Sequence, residues 1–194
     1  IFALATPPGR SALAVFRISG PGAGVALDAL TLPRPKPRTV ALRRLRHPIS
    51  REVLDEALVL WFPAPNSETG EDVAELQIHG GRSIIAALTS ALLTLQGLRL
   101  ARPGEFVRRA FENGKLDLTA AEGLADLIDA ETEAQRRQAL RQSFGDLARL
   151  YEGWRERIVA MMARAEAAID FPEEEMPGGL LEAIPAEAAS LAAA

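Results

Sequence analysis

The sequence predicts an α+β fold, with an N-terminal mixed α/β part followed by an all-α part, and two observations carry that prediction. Up to about Lys115, short apolar runs alternate with Gly, Pro and Asn turn signals; beyond it the chain is rich in Ala, Leu, Glu and Arg at helical spacing. The shift near Leu116 predicts domains at residues 1–115 and 116–194.

In order, Ile1 to Thr6 and Ala12 to Ser19 read as strands forming a hairpin around the turn signal Pro7-Pro8-Gly9-Arg10, and Gly20-Pro21-Gly22 ends the second. A short helix from about Gly24 to Leu30 follows. The alternate prolines of LPRPKPRTV forbid helix and favour an extended entry to a strand near Val40. Asp55 to Phe62 is a strand, and PAPNSETGED a loop with turn formers at nearly every position. In GEDVAELQIHGG, period-two alternation places Val73, Glu75, Gln77 and His79 on one face and Ala74, Leu76 and Ile78 on the other, which is the core face. Ser83 to Leu95 is a helix by the spacing of Ile84, Ile85, Leu88, Leu92 and Leu95; Leu98 to Ala101 is a short strand; Pro103-Gly104-Glu105-Phe106 opens a helix ending at Asn113-Gly114.

Leu118 to about Phe144 reads as one long helix, with Thr119 as N-cap and Glu122 completing a capping box. Asp146 to about Ile169 is a second helix whose stripe Leu147, Leu150, Trp154, Ile158, Met161 and Met162 is expected in a core. Phe171-Pro172 stops it, the acidic run Glu173 to Glu175 with Pro177-Gly178-Gly179 is a linker, and Ile184 starts another helix. Two long helices cannot bury both of their apolar faces, so the all-α part is expected to be incomplete.

Composition narrows the function classes. Among 194 residues, 48% are hydrophobic and 25% charged, as in a soluble globular protein, and no run of about 18 apolar residues offers a membrane span. A cytoplasmic location is expected, with no membrane partner. With no cysteine, thiolate chemistry and disulfides are excluded, and two histidines leave no zinc site of the usual kind, so no metal site is expected in these residues. The net charge of −4 gives no bulk attraction for nucleic acid. No phosphate loop, dinucleotide fingerprint, zincin motif or nucleophile elbow occurs, and no residue is assigned a catalytic role.

Four clusters remain. Arg17, between Phe16 and Ile18, points away from them and is either a solvated side chain or a clamp for a carboxylate or phosphate. Glu75 and Gln77 either form a polar strand face or hydrogen-bond a flat heterocycle, whose ring N–H and amino group one carboxylate can accept together. Gly80-Gly81 then allows close backbone approach at a helix N-terminus, with His79 read as a hydrogen bonder at the helix entry. Lys115 follows a glycine turn at the domain junction and is either solvated or poised for an anion. The acids after Phe171 are either a solvated linker or a dock for a basic partner. A further basic patch, Arg43, Arg44, Arg46 and Lys36 near His47, lacks interleaved aromatics for stacking bases and is held as a secondary candidate for nucleic-acid contact.

In combination, ATPPGR at Ala5 to Arg10, FRISG at Phe16 to Gly20, FPAPNSETGED at Phe62 to Asp72, ELQIHGG at Glu75 to Gly81, ARPGEF at Ala101 to Phe106, KLDLTAAE at Lys115 to Glu122 and AAIDFPEEE at Ala167 to Glu175 resemble the tRNA-modification GTPase family (MnmE, also called TrmE). The resemblance spans Ile1 to Glu175. It implies an N-terminal dimerisation and tetrahydrofolate-binding domain that takes a 5-formyl-tetrahydrofolate-type one-carbon donor, with Glu75 on the pterin and Arg17 and Lys115 as the other folate contacts. It implies a homodimer, a tRNA substrate, an FAD-dependent partner (MnmG, also called GidA), and addition of a carboxymethylaminomethyl group at C5 of the wobble uridine. From about Leu116 the resemblance is to the first part of the family's central helical domain. GTP hydrolysis, with Mg²⁺ and K⁺, would reside in a G domain outside these residues. The alternatives are a folate-binding dimerisation scaffold without catalysis, an aminomethyltransferase-like enzyme and a tRNA-binding module.

Overall fold

A computed structural model describes residues 1–170 and 181–193. The chain divides into two units, Ile1–Leu116 and Asp117–Ala194. The first is built on a five-stranded sheet in the order β1-β2-β5-β4-β3, every neighbouring pair antiparallel. Its strands are β1 (Phe2–Leu4), β2 (Leu13–Ser19), β3 (Ala41–Arg46), β4 (Val53–Phe62) and β5 (Val73–His79), with helix α1 (Gly22–Leu30) between β2 and β3 and helices α2 (Arg82–Leu93) and α3 (Glu105–Glu112) after β5. The predicted α+β class is the observed one.

The core lies on one face of this sheet. Phe16 and Ile18 of β2, Val59 of β4, and Leu76 and Ile78 of β5 pack with Leu27 and Leu30 of α1 and Leu88 and Leu92 of α2, all essentially inaccessible to solvent. Each such side chain contributes about 1.5–3 kcal/mol by leaving water, so the face assignment is strongly specified and a one-residue slip of β5 would invert it. The alternation read from GEDVAELQIHGG is therefore realised, with Ala74, Leu76 and Ile78 inward. The other face, bearing Glu75 and Gln77, leaves Leu13, Leu42 and Leu58 exposed.

Leu98 to Ala101 departs from its expected strand. It makes a single parallel bridge, Leu100 to Phe2, with Phe2 N–H donating to Arg99 O at 3.0 Å and Ala101 N–H donating to Phe2 O at 2.8 Å. Gly97 on one side and Pro103 on the other leave no length for a longer ladder.

In the second unit the expected long helix is two, α4 (Leu118–Asp129) and α5 (Glu133–Ser143). Ala130 is extended, and Thr132 starts α5 with a full capping box: its hydroxyl accepts from Gln135 N–H at 3.2 Å while Gln135 Oε1 accepts from Thr132 N–H at 2.8 Å. The T-x-x-Q signal was present, overshadowed by continuous helical periodicity. The N-cap of α4 is Asp117 rather than Thr119: Asp117 Oδ1 accepts from Ala120 N–H at 2.8 Å and from the Thr119 hydroxyl at 2.7 Å. An ionised cap outcompetes a hydroxyl because it also meets the positive helix end. These two hydrogen bonds, the Thr119 hydroxyl first, lower the Asp117 pKa. Gly123 lets α5 approach α4 so closely that a Cβ there would lie 2.7 Å from Ser143 N.

α6 (Asp146–Asp170) follows, then α7 (Ala183–Ala192). Of the stripe expected in a core, Met161 alone is buried; Leu150, Ile158 and Met162 are exposed, as are Phe144 and Ile169. The reason is that, among the described residues, too little helical surface packs against α6 to cover the stripe. The acidic run Glu173 to Glu175 lies outside the described residues.

Candidate functional site

The sheet face opposite the core brings Arg17 and Glu75 together as directly opposed residues of β2 and β5. Arg17 Nε donates to Glu75 Oε2 at 3.2 Å and its Nη1 to Glu68 Oε2 at 2.8 Å, while Gln77 Nε2 donates to Glu75 Oε1 at 2.9 Å. The guanidinium fork is thus already engaged by two carboxylates of its own chain. Glu75 is the less accessible partner, its side chain 18% exposed against 38% for Arg17 and 42% for Glu68. A carboxylate offers about four acceptor positions. Glu75 has one donor on each oxygen and keeps capacity for a further pair of donors arriving from the open side. Beside it, a shallow depression of about 380 Å³ runs over Leu13, Leu42, Leu58, Gln77 and His79, a surface that would accept the flat side of a ring.

Lys115 is brought to the same loop rather than to the pair itself. Its side chain crosses Gly70, two residues after Glu68; a Cβ at Gly70 would sit 3.1 Å from Lys115 Cε and 3.0 Å from Asn113 Cβ. Gly70 is also left-handed, with φ 76°. Asn113 Nδ2 holds the loop by donating to Thr69 O at 2.7 Å. Glu68 was not singled out in the sequence, because nothing local shows that a loop carboxylate folds back onto a strand 51 residues earlier.

Beneath this loop runs a polar network that the sequence also did not announce. The buried Ser19 hydroxyl donates to Glu71 Oε2 at 2.7 Å and accepts from the buried Thr69 hydroxyl at 2.6 Å. Arg109 of α3 donates to Glu71 Oε2 at 2.9 Å and reaches Glu105 Oε1 at 3.4 Å. Glu105 in turn accepts from Arg99 Nη1 at 2.8 Å and from Arg102 N–H at 2.8 Å. The Arg99 hydrogen bonds, followed by the Arg102 backbone donor, hold the Glu105 carboxyl far below the usual carboxylate range. A carboxylate with a depressed folded pKa contributes stability that is complete above its unfolded value, 4.5, and is lost as pH falls. Glu105→Gln is therefore expected to flatten the decline in stability below about pH 5 relative to wild type, measured as urea midpoints across pH. An unchanged acid slope would contradict it.

At the end of β5, His79 bonds across the sheet: its Nδ1 lies 2.8 Å from Asp55 Oδ1, and its N–H donates to Asp55 Oδ2 at 2.8 Å. Its partner is a strand carboxylate rather than the helix entry. The close approach allowed by Gly80 is made by Ser11, whose carbonyl oxygen would stand 2.4 Å from a Cβ at Gly80. Gly81 is the N-cap of α2, with no side-chain cap. Among the described residues there is no cluster of three acids or histidines that could hold a metal ion, and no helix long and apolar enough to cross a membrane.

Comparison with known proteins identifies the family of the chain. A family model described as the GTP-binding protein TrmE N-terminus matches residues 1–115, and one described as the MnmE helical domain matches residues 118–193. A tRNA modification GTPase MnmE of Parvibaculum lavamentivorans is 61% identical over 182 residues, covering 93% of this chain and 42% of that protein. The MnmE of Paramagnetospirillum magneticum is 61% identical over 192 residues, 98% of this chain and 43% of that protein. A zebrafish protein named 5-taurinomethyluridine-[tRNA] synthase subunit GTPB3, mitochondrial, is 54% identical over 91% of this chain and 35% of its own length. The chain thus spans about two fifths of the length of these bacterial relatives. With one family model covering the sheet unit and a second the helical unit, the chain belongs to the MnmE (TrmE) tRNA modification GTPase family.

Proposed function

We propose that this chain is the folate-binding part of a tRNA modification GTPase, holding a 5-formyl-tetrahydrofolate-type one-carbon donor on the open sheet face. The observation that carries the reading is Glu75, a half-buried carboxylate with spare acceptor capacity beside a depression whose floor mixes Leu13, Leu42 and Leu58 with Glu56, Gln77 and His79. Its two oxygens suit the paired donors of a pterin edge; the folate supplies the one-carbon unit. Arg17 orients Glu75 through its hydrogen bond to Oε2, and Lys115 offers an ammonium for a glutamyl carboxylate or another acceptor. Glu75 acts as a binder, and no described residue is assigned as acid or base for the one-carbon chemistry.

The full-length protein would hydrolyse GTP with Mg²⁺ and K⁺ in a G domain outside these residues. It would work in the cytoplasm as a homodimer with the FAD-dependent MnmG, adding the carboxymethylaminomethyl group to the wobble uridine. The names of the relatives support the GTPase and tRNA parts of this reading. The sheet unit would dimerise, and the exposed Leu13, Leu42 and Leu58 offer it apolar surface. A folate-binding scaffold without catalysis of its own is the second reading, since Glu75, Arg17 and Lys115 are assigned as binding residues and none of the described residues is assigned a catalytic role.

The test is calorimetric titration with 5-formyl-tetrahydrofolate, with sedimentation run alongside. Glu75→Ala is expected to weaken binding by about 1.5–3 kcal/mol, the range for hydrogen bonds to a charged group. Equal affinity in wild type and variant would remove Glu75 from the site.

A further inference from the structure

At the β3 edge of the sheet, Arg43, Arg44, Arg46 and Arg51 surround a cleft of about 400 Å³. One carboxylate, Glu56, lines it, and this is taken by Arg44 at 3.3 Å. The cleft therefore holds an excess of three positive charges on a chain whose net charge is −4. The other three guanidiniums bond to backbone carbonyls: Arg43 to Pro33 and Leu42, Arg46 to Arg51, and Arg51 to Ala29 at the end of α1. Such bonds fix the position of a guanidinium without neutralising it, and each group has five N–H donors, most of them unused here. Thr31, which lines the same cleft, is 2% exposed, and its hydroxyl has no partner among the described residues.

Arg51 adds a second kind of observation. It sits in the left-handed region, φ 60°, in the turn where His47 N–H donates to Glu52 O at 2.9 Å. Glycine or asparagine would serve such a turn at less cost, since a long side chain there costs about 1–2 kcal/mol. Strand-edge arginines also discourage edge-to-edge pairing, which accounts for Arg44 and Arg46 on β3. It does not account for Arg51, which lies on the turn outside the strand.

We infer that this cleft binds the phosphodiester backbone of the tRNA. The inference rests on the reading of the chain as part of a tRNA-modifying protein. Planar guanidiniums match phosphate oxygens in pairs, and a surface without stacking aromatics reads backbone rather than bases. The cleft would orient the RNA without supplying sequence preference.

The test is fluorescence anisotropy of a labelled tRNA against the chain across a salt series, with Arg51→Gly and Arg46→Gln as variants and inorganic phosphate as a separate titrant. Arg51→Gly relieves the left-handed residue, so its thermal midpoint is expected to hold or rise while tRNA affinity falls about fivefold and the salt slope becomes shallower by about 1. Arg46→Gln should weaken binding similarly. If wild type and both variants bind tRNA with the same affinity and slope, the cleft is not the site and the tRNA reading survives. If tRNA does not bind but phosphate binds and is lost in the variants, the site serves a free anion and the inference fails. If tRNA and phosphate both fail to bind while 5-formyl-tetrahydrofolate still does, the inference fails and the folate reading stands.

Discussion

Gly80→Ala is expected to lower the stability of the sheet unit by about 2–3 kcal/mol, seen as a fall of roughly 10 °C or more in its thermal midpoint by circular dichroism. The added Cβ would stand 2.2 Å from Ser11 Oγ, 2.4 Å from Ser11 O and 2.8 Å from Ser11 C. A rotamer change could move the hydroxyl, but the carbonyl is fixed because Ser11 and Ala12 lead directly into β2, with Gly80 N–H donating to Ala12 O at 3.3 Å. Relief therefore requires the strands to part at Leu13 and His79, the first opposed pair of the β2–β5 ladder. Adding Ser11→Gly should restore part of the loss and leave the backbone share. A midpoint within about 2 °C of wild type would show that the loop before β2 yields easily, and that the close approach is not a constraint.

Arg109→Ala is expected to cost about 2–3 kcal/mol in urea unfolding, near the lower end for breaking a buried ion pair because Arg109 is 22% and Glu71 26% exposed. The loss is that of the cation facing Glu71, which would remain held against the buried Ser19 hydroxyl with its charge uncompensated. Replacing Glu71 by Gln in the same chain should recover part of the stability, giving a coupling of about 1 kcal/mol or more in the double-mutant cycle. The network also anchors the Glu68–Glu71 loop, which supplies Glu68 to Arg17 and carries the Lys115 side chain across Gly70. The substitution should therefore weaken 5-formyl-tetrahydrofolate binding without touching the ligand. Additive single changes, or folate affinity equal to wild type, would separate the network from the site.

Period-two alternation identified β5 and its two faces because burial of Ala74, Leu76 and Ile78 demands that register and no other. Arg17 was readable as an outward residue for the same reason, from Phe16 and Ile18 on either side. Helix boundaries were less readable where two local signals competed. Asp117 displaced Thr119 as the cap of α4, and the Thr132–Gln135 box divided what continuous periodicity presented as one helix.

The α+β class, the inward and outward faces of the sheet strands, and the motifs that mark the family were all determined by the sequence, since each depends on residues a few positions apart. The tertiary structure decided which outward residues meet. Hydrogen bonding between β2 and β5 placed Arg17 opposite Glu75, 58 residues away; the Glu68–Glu71 loop folded back to complete the arginine fork; and Ser11, rather than a ligand, occupied the space that Gly80 leaves. These pairings depend on loop closure and on charges finding partners across the chain, and local periodicity carries no information about either.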